Sequence, residues 1–301
     1  MESLADKPKT RKKKENTPDG LQDSFGVILI AFGHYAYYEQ AYNLAFSIKT
    51  HSPDVKIALH AENIALLHTR VNELQRTVFD EVMPLDTSKF NSPAAIKLGI
   101  YDLCVFDRNL YLDVDTIALR DISPIFEVLK GNPYLVHVNG GKMLWMDDKK
   151  AKELFNIDGE IVSVNSSIQY IEKGKQAQSV FDLANQLYKS PVPNNQLKNS
   201  WGTQQPDELY LNIALTKLEF DPSFKFPPVL FTTKTSIQPH MIEDEYYFLS
   251  YFGPKGHTPY SYVHSIDAKL KRWHEQAGQR HTMKVENTLK FKHANTRPKA
   301  K

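Results

Sequence analysis

Two aspartates one residue apart, Asp113 and Asp115, interrupt the apolar stretch LYLDVDTI at residues 110–117. Two carboxylates at the end of a strand repel each other, so burying their charges costs free energy unless a cation lies between them. Carboxylate oxygens suit Mg²⁺ and Mn²⁺, which leave their remaining coordination positions to water and substrate phosphates. The stretch therefore predicts a metal site that holds a diphosphate, although an Asp-x-Asp tripeptide on its own also fits a solvated strand end.

The segments around these aspartates alternate between strand and helix patterns. The continuous apolar run FGVILIAFG predicts a central strand covered on both faces, and a helical repeat that ends at Pro53 separates it from the strand-like VKIALHAE. Such alternation favours an α/β fold with a mainly parallel sheet, in which ligands bind beyond the carboxyl ends of the strands. Downstream, the patterns predict a helix around residues 63–77, a strand near FDEVM, a helix near SPAAIKLGIYDLCVF, one strand over NLYLDVDTIAL, helices over QSVFDLANQLYKS and DELYLNIALTKL, and strands over VLFTT and YFLSYF.

The composition is that of an ordinary globular protein, since the 301-residue chain is 41% apolar and 24% charged. Its longest apolar run, residues 25–33, falls short of the roughly 20 residues that cross a bilayer. No signal-like apolar segment follows Met1, so we expect a cytoplasmic protein without a transmembrane segment. The single cysteine, Cys104, excludes an internal disulfide and is expected to be buried as a small apolar residue.

The positive charges are concentrated near the two ends of the chain. Residues 264–301 hold 10 Lys and Arg against 3 Asp and Glu, and the run KTRKKK spans residues 9–14. We expect a disordered basic tail over residues 1–22, one folded domain over residues 23–273 and a basic C-terminal extension over residues 274–301. Basic ends can attract nucleic acid or another polyanion, or can simply keep a protein soluble.

The segment RNLYLDVDTIALRDISPIFE resembles the Asp-x-Asp segment of nucleotide-sugar glycosyltransferases with the GT-A fold. It is most similar to glycosyltransferase family 8, the group that contains glycogenin and the bacterial lipopolysaccharide galactosyl- and glucosyltransferases. The likeness covers roughly residues 24–273 and includes AFGHYAYYEQAYNLAFSIKTHSPD, AAIKLGIYDL, VNSSIQYI and DELYLNIAL in the expected order. It implies a Rossmann-like, twisted, mainly parallel sheet flanked by helices. It also implies a hexosyl- or pentosyltransferase that moves a sugar from a nucleoside diphosphate sugar, in particular a UDP-sugar, to an acceptor hydroxyl with retention.

The resemblance implies that Asp113 and Asp115 hold Mn²⁺ or Mg²⁺ against the donor diphosphate. The family's third metal ligand is a histidine, which corresponds to His264 in YVHSIDAKLKRWHE. In the family a lysine that grips the diphosphate follows this histidine. Here the role could belong to Lys269 or Lys271, because both are offset by one position from the usual spacing.

Residues around the transferred sugar are implied in the same way. Lys97 would contact the sugar or phosphate end of the donor, and Asn165 would lie beside the transferred sugar. In DELYLN, Asp207 and Glu208 replace the family's Asp-Gln pair near the reacting carbon, so Glu208 puts the choice of sugar in question. The negative charge of Asp207 would stabilise a transition state that resembles an oxocarbenium ion.

The loop after the first strand is expected to bind the donor nucleotide, and we assign Ala31, Tyr35 and Tyr37 to this role. An aromatic ring stacked on the base would suit the position directly after the strand. Tyr38 follows in the same loop, and at least one of the three tyrosines is expected to pack in the core or lie exposed instead. The sequence does not decide which tyrosine stacks.

The sequence leaves the acceptor open. A carbohydrate or lipid-linked acceptor is the default, and a nucleic-acid base held through the basic ends, as in some phage enzymes, is the main alternative. The protein's own tyrosines, 15 in number, are a third possibility. The loop GGKMLWMDD at residues 140–148 could touch the acceptor, unless its apolar side chains pack in the core: Met143, Leu144, Trp145 and Met146.

Two other classes of protein compete with a transferase. Phosphatases of the haloacid dehalogenase class also carry Asp-x-Asp after an apolar strand, with the first Asp as nucleophile. Here, however, Ile117 stands where Thr or Val is expected, and IEDE at residues 242–245 matches the downstream acidic pair only weakly. The second competitor is a non-catalytic nucleic-acid-binding protein on the same fold, but a pure binder has no need of a metal triad.

Overall fold

The computed structural model describes six ranges of the chain, namely residues 23–90, 92–139, 143–198, 205–222, 227–232 and 244–251. Within them the strands are β1 (Phe25–Ala31), β2 (Lys56–Ala61), β3 (Glu81–Pro84), β4 (Arg108–Leu112), β5 (Thr116–Ala118), β6 (Tyr134–Val138), β7 (Val164–Glu172), β8 (Val229–Thr232) and β9 (Phe248–Tyr251). The helices are α1 (Ala36–His51), α2 (Ile64–Arg70), α3 (Glu73–Arg76), α4 (Pro93–Leu98), α5 (Ser123–Val128), α6 (Asp148–Phe155), α7 (Lys175–Tyr188) and α8 (Asp207–Lys217).

A six-stranded sheet lies at the centre of this described part, in the order β3-β2-β1-β4-β7-β6. Strands β3, β2, β1 and β4 run parallel, whereas β7 is antiparallel to both of its neighbours. The expected mainly parallel sheet flanked by helices is therefore confirmed. The sequence pattern predicts the parallel strands because they alternate with helices. It gives no sign that β7 runs antiparallel to its neighbours, and it does not predict β6, α5 or α6.

The pairing of β6 with β7 is irregular. Val136 pairs with Gln169, but the next residue, His137, pairs with Asn165, so residues 166–168 have no partner on β6. Extra residues of this kind in one strand form a bulge, which bends the strand and frees its backbone groups from the ladder.

Both faces of the central sheet are covered, as the apolar run in β1 predicts. Val27 and Leu29 belong to a core shared with α1, whereas Ile28 belongs to a second core shared with α7 and α8. Because successive side chains of a strand point to opposite faces, a strand between two helical layers must be apolar throughout. Cys104 is buried in the second core, as expected.

The prediction of one continuous strand over NLYLDVDTIAL is wrong. β4 ends at Leu112, and β5 begins at Thr116 in a second sheet of order β5-β9-β8. The chain therefore changes sheets across residues 113–115, and the two aspartates lie in the connecting turn. Carboxylates need water or a counter-charge, which the middle of a strand between two apolar layers does not offer.

Two helices are shorter than the sequence predicts. The segment 63–77 is divided into α2 and α3, because Asn72 forms a capping box with Gln75 and so begins a new helix. The helix predicted near residues 92–106 ends at Leu98, and a turn of 3₁₀-helix follows at residues 100–103.

The basic tail over residues 1–22 and the basic extension over residues 274–301 lie outside the described ranges, so the expected domain boundaries stay predictions. Among the helices that the structure describes, none combines the length and the apolar character needed to span a membrane.

Gly26→Ala should destabilise the central sheet. A Cβ atom at Gly26 would lie 2.5 Å from a ring carbon of Phe106 and 2.7 Å from the carbonyl oxygen of Lys56 in β2. That oxygen cannot move without disturbing the strand pairing, so we expect a loss of about 1–3 kcal/mol in the free energy of unfolding, measured with urea. Gly159→Ala is the matched control, because a Cβ there meets no atom within 4 Å. Equal losses in both variants would contradict this explanation.

Candidate functional site

The turn between β4 and β5 carries both aspartates to the carboxyl end of β4. The backbone N–H of Thr116 donates to the carbonyl oxygen of Asp113 at 3.1 Å and closes the turn. The backbone N–H of Asp113 donates to the carbonyl oxygen of Ser167 in β7 at 2.8 Å. The turn is thus attached to the neighbouring strand, within the bulge of β7.

The carboxylate of Asp113 is held by two neighbours. Lys97, from α4, lies with its Nζ 2.7 Å from Oδ2 of Asp113, and the hydroxyl of Tyr111 in β4 donates to Oδ1. The two charged side chains are about 21% and 19% exposed, so water screens this ion pair only partly. Although burial alone would lower it, the negative charge of Asp113 raises the pKa of Lys97 well above its usual value.

Asp115 is in a different state from Asp113. Its Oδ1 atom is buried and receives no hydrogen bond from the described residues. Burial, followed by the negative charge of Asp113, raises the pKa of Asp115 to about 8, and Lys97 opposes this only in part. A buried carboxyl oxygen without a donor is costly, so Asp115 needs either a proton or a cation.

A cavity of about 220 Å³ opens beside these groups. It lies beyond the carboxyl ends of β1 and β4, where α/β sheets bind their ligands. Polar groups therefore converge on a small, largely apolar pocket, which is the usual character of a ligand site. Its lining consists of Ile30, Phe32, Tyr37, Pro93, Ile96, Lys97, Tyr111, Asp113, Val114 and Asp115.

A second acidic pair, Asp207 and Glu208, begins α8. The hydroxyl of Ser166 donates to Oδ2 of Asp207, and the backbone N–H of Ser166 donates to Oε1 of Glu208 at 3.1 Å. The indole N–H of Trp145 donates to Oε2 of Glu208 at 2.6 Å. Burial, followed by the charge of Asp207, raises the pKa of Glu208 to about 7.

The two acidic pairs belong to one site. The charge of Asp207 contributes to the raised pKa of Lys97, and the charge of Lys97 in turn opposes the raised pKa of Glu208. Consecutive residues of β7 bind both pairs, because Ser166 contacts Asp207 and Glu208 while Ser167 contacts the turn of the first pair. The structure therefore brings Lys97, which the sequence placed in the site, into an ion pair with Asp113 and within electrostatic reach of the second pair.

The three tyrosines after β1 differ in their surroundings. Tyr38 is fully buried in the core, and its hydroxyl accepts a hydrogen bond from the backbone N–H of Asn63 at 3.0 Å. Tyr37 lines the cavity, whereas the ring of Tyr35 lies 4.2 Å from the guanidinium carbon of Arg70. Packing therefore accounts for Tyr38, and Tyr37 is the tyrosine next to the aspartates. Ala31 is buried at the end of β1.

For the four apolar side chains of residues 143–146 the sequence left open contact with an acceptor and packing in the core. Met143 and Met146 are buried in the core, so for these two the packing alternative is correct. Leu144 is 54% exposed, and Trp145 reaches Glu208. The side chain of Asn165 accepts a hydrogen bond from the backbone N–H of Ser167 at 2.9 Å.

Part of the predicted site lies outside the described ranges, namely His264, Lys269 and Lys271. Within those ranges no cluster of three or more His, Cys, Asp or Glu side chains is arranged to hold a metal ion. Asp113 and Asp115 nevertheless offer the oxygen donors that Mn²⁺ and Mg²⁺ prefer, and the unsatisfied oxygen of Asp115 fits a cation. The three-ligand metal site stays a prediction.

Comparisons with known proteins match the chain in structure only. No protein-family model and no curated protein matches its sequence. WbbM, described as a bifunctional glycosyltransferase, matches it with a TM-score of 0.55 and 13% identity over 86% of this chain. The match covers 52% of WbbM, so the chain spans about half the length of that protein. An active-site mutant of LgtC matches with a TM-score of 0.51 and 13% identity, over 81% of this chain and 95% of LgtC.

The protein has the GT-A fold. The resemblance of the Asp-x-Asp segment to GT-A glycosyltransferases is thus confirmed at the level of the fold, and the haloacid dehalogenase reading, which rested on the tripeptide, loses its support. The sequence did not identify Tyr111 or Ser166 as residues of the site. It offered Trp145 as a residue that could touch the acceptor and not as a partner of Glu208. For Tyr111 a signal existed, because it lies two residues before Asp113, on the same side of the chain.

In metal-free buffer, Asp115→Asn should flatten the dependence of stability on pH. The pKa of Asp115 is about 8 in the folded protein and about 4 in an unfolded chain. Its contribution to stability is therefore complete below pH about 4 and is lost as the pH rises to about 8, by up to about 1.4 kcal/mol per pH unit. Asparagine has no such proton to lose.

Urea unfolding at a series of pH values measures this difference. Asp182→Asn, at an exposed position of α7, is the control and should keep the wild-type slope. If the free energies of unfolding of Asp115→Asn and of the wild type changed in parallel from pH about 4 to about 8, Asp115 would not be buried as a protonated acid.

Proposed function

We propose that the protein is a metal-dependent glycosyltransferase that moves a sugar from a nucleoside diphosphate sugar, a UDP-sugar in particular, to an acceptor hydroxyl. The observation that carries this proposal is the buried, unsatisfied oxygen of Asp115 beside the Asp113–Lys97 ion pair, in a cavity at the carboxyl end of β4. The GT-A fold, shared with two glycosyltransferase structures, supports the same reaction class.

Asp113 and Asp115 are the residues that would hold Mn²⁺ or Mg²⁺, with His264 as the third ligand. When bound, the ion supplies positive charge that neutralises the diphosphate leaving group. Lys97 adds a second positive charge from the protein itself, and because it is mostly buried its interaction with a phosphate is stronger than it would be in water. We assign further binding of the diphosphate to Lys269 or Lys271.

The cavity at Asp115 suits one end of a donor rather than the whole molecule. Its volume of about 220 Å³ is below the roughly 300–1,000 Å³ of pockets that enclose a complete ligand. Tyr37 lines this cavity, and burial raises the pKa of its hydroxyl, which therefore stays protonated. Tyr37 is accordingly our candidate for contact with the nucleotide, together with Ala31 and Tyr35 at the end of β1.

Asp207 is the acid that we assign to the reacting sugar. Glycosyl transfer passes through a transition state with positive charge on the anomeric carbon, which a nearby carboxylate stabilises. Asp207 is half-buried, and its negative charge contributes to the raised pKa of Lys97, which supports its assignment to the same site as the proposed diphosphate. Asn165, at the start of β7, is assigned to the sugar, and retention of configuration is part of the proposal.

Donor binding provides the first test. We expect one of a panel of UDP-, GDP- and ADP-sugars to raise the melting temperature in the presence of Mn²⁺ but not in its absence. A donor at 100 times its Kd adds about 2.7 kcal/mol to the free energy of unfolding, which calorimetry resolves easily. Asp115→Ala should abolish this effect because it removes the oxygen that lacks a donor.

Asp182→Ala, which removes an exposed carboxylate of α7, is the matched control and should bind the donor like the wild type. The proposal fails if no nucleotide sugar binds with Mn²⁺, or if Asp115→Ala and Asp182→Ala bind the donor equally well.

A nucleic-acid acceptor is the second candidate, favoured by the 10 Lys and Arg against 3 Asp and Glu in residues 264–301. Such an acceptor would be held through its phosphates, so its affinity should fall steeply between about 50 and 200 mM salt. Sugar transfer from a radiolabelled donor to single-stranded DNA, compared with transfer to an oligosaccharide at both salt concentrations, separates the two acceptors. Transfer to the oligosaccharide alone would exclude the nucleic-acid acceptor.

A further inference from the structure

The two acids at the start of α8 are held in different ways. Both oxygens of Glu208 are occupied, Oε2 by the indole N–H of Trp145 at 2.6 Å and Oε1 by the backbone N–H of Ser166 at 3.1 Å. The residue is only 9% exposed. A buried carboxyl group that accepts a hydrogen bond on each oxygen has little freedom to turn toward a substrate.

Asp207 has a less restricted carboxylate. Its Oδ2 accepts from the hydroxyl of Ser166, and no hydrogen bond from the described residues reaches its Oδ1. It is half-buried, and its charge acts on Lys97, on Tyr111 and on Tyr134. Asp207 therefore keeps one carboxylate oxygen without a donor among the described residues, whereas both oxygens of Glu208 are occupied.

We propose that Trp145 is a positioning residue that fixes Glu208, and through it the first turn of α8, so that Asp207 rather than Glu208 presents its carboxylate to the donor sugar. This inference rests on the proposed glycosyltransferase function. It separates two acids that are adjacent in the sequence and gives them different tasks.

The same contacts explain why position 208 carries Glu. A carboxylate offers an acceptor on each oxygen, whereas the amide of Gln offers one acceptor oxygen and one NH₂ donor. Because Trp145 and Ser166 both present N–H groups, Gln at this position would direct its NH₂ against one of them. The indole of Trp145 thus accounts for the departure of this chain from an Asp-Gln pair.

Trp145 is held at its backbone as well as at its side chain. Its carbonyl oxygen accepts from the backbone N–H of Lys198 at 2.8 Å, and the next residue, Met146, is buried and forms a β-bridge with Leu197. These contacts do not involve the indole. Trp145→Phe should therefore leave the segment in place while it removes the hydrogen bond to Glu208.

The surroundings of Glu208 make this contact measurable. Burial and the charge of Asp207 on α8 raise the pKa of Glu208 to about 7, against the hydrogen bonds from Trp145 and Ser166 and the charge of Lys97 on α4. The carboxyl group is thus expected to change its charge near neutral pH. An indole N–H that donates to it should report that change.

The first experiment follows the indole ¹⁵N–¹H resonances of the full chain as a function of pH. The chain has three tryptophans, and Trp145→Phe identifies the resonance of Trp145. We expect this resonance to titrate with a midpoint near pH 7 and to lose that titration in Glu208→Gln. Glu160→Gln, at an exposed position before β7, is the matched control and should leave the titration unchanged. A resonance that does not titrate in the wild type overturns the proposal.

The second experiment measures steady-state kinetics with the donor found by the binding test. Trp145→Phe should lower kcat about tenfold with a change of less than about threefold in the donor KM, because it affects orientation and not donor binding. Asp207→Asn should lower kcat more than Glu208→Gln does. The double variant Trp145→Phe/Glu208→Gln should be no slower than Glu208→Gln alone, since phenylalanine removes one of the two opposing N–H groups.

If the losses of kcat in Trp145→Phe and Glu208→Gln multiplied in the double variant, the positioning role would be overturned. A larger loss of kcat in Glu208→Gln than in Asp207→Asn would overturn it as well. Absence of any donor turnover in the wild type would instead reject the proposed transferase function. The indole resonance distinguishes these failures, because it reports the contact between Trp145 and Glu208 without requiring a substrate.

Discussion

Repulsion between carboxylates that are buried side by side is the constraint on which this site depends. The described part of the site contains Asp113, Asp115, Asp207 and Glu208 around the single ammonium group of Lys97. Lys97 compensates only one negative charge, and it is already paired with Asp113 at 2.7 Å. The remaining acids must be protonated, hydrogen-bonded or matched by an outside cation. Glu208 accepts a hydrogen bond on each oxygen, whereas the buried Oδ1 of Asp115 has no donor among the described residues. The described part of the site therefore carries more carboxyl groups than Lys97 can compensate.

The arrangement of these acids is determined by one strand. Ser166 binds the pair at the start of α8, and Ser167 binds the turn that carries the pair after β4. The two pairs come from segments far apart in the chain, yet neighbouring residues of β7 connect them. The backbone of β7 therefore helps to fix the separation of the two pairs, which suits a site whose charged groups must be held in one geometry.

Much of the fold could be predicted from local patterns. The apolar run of β1, the helical repeat of α1 and the alternation that follows them all report local burial, which one sequence displays directly. The change of sheets at Asp113–Asp115 could not be predicted, because both β4 and β5 have strand-like composition and only their partners differ. The direction of β7 is likewise a property of its pairing and not of its residues.

The site was predictable where chemistry is carried by residue type, as for Lys97 and the two aspartates. The hydrogen bond from Trp145 to Glu208 was not predictable, because the sequence neighbours of Trp145 are apolar and Glu208 lies 63 positions away. Tyr38, which the sequence placed in the loop after β1, lies in α1 and packs in the core, so an aromatic residue at that position does not by itself indicate a ligand contact. The spacing of residue types identifies candidate site residues, whereas burial and hydrogen-bond partners in the structure decide between these candidates.

The bulge in β7 has a consequence for how such a site can originate. Since residues 166–168 have no partner on β6, the backbone N–H of Ser166 is available to the carboxyl group of Glu208. In a regular antiparallel ladder, half of such groups would already be committed to the neighbouring strand. A regular ladder of the same strand order would leave Glu208 without this backbone donor, so the irregularity of the ladder is what allows β7 to hold an acid that comes from α8.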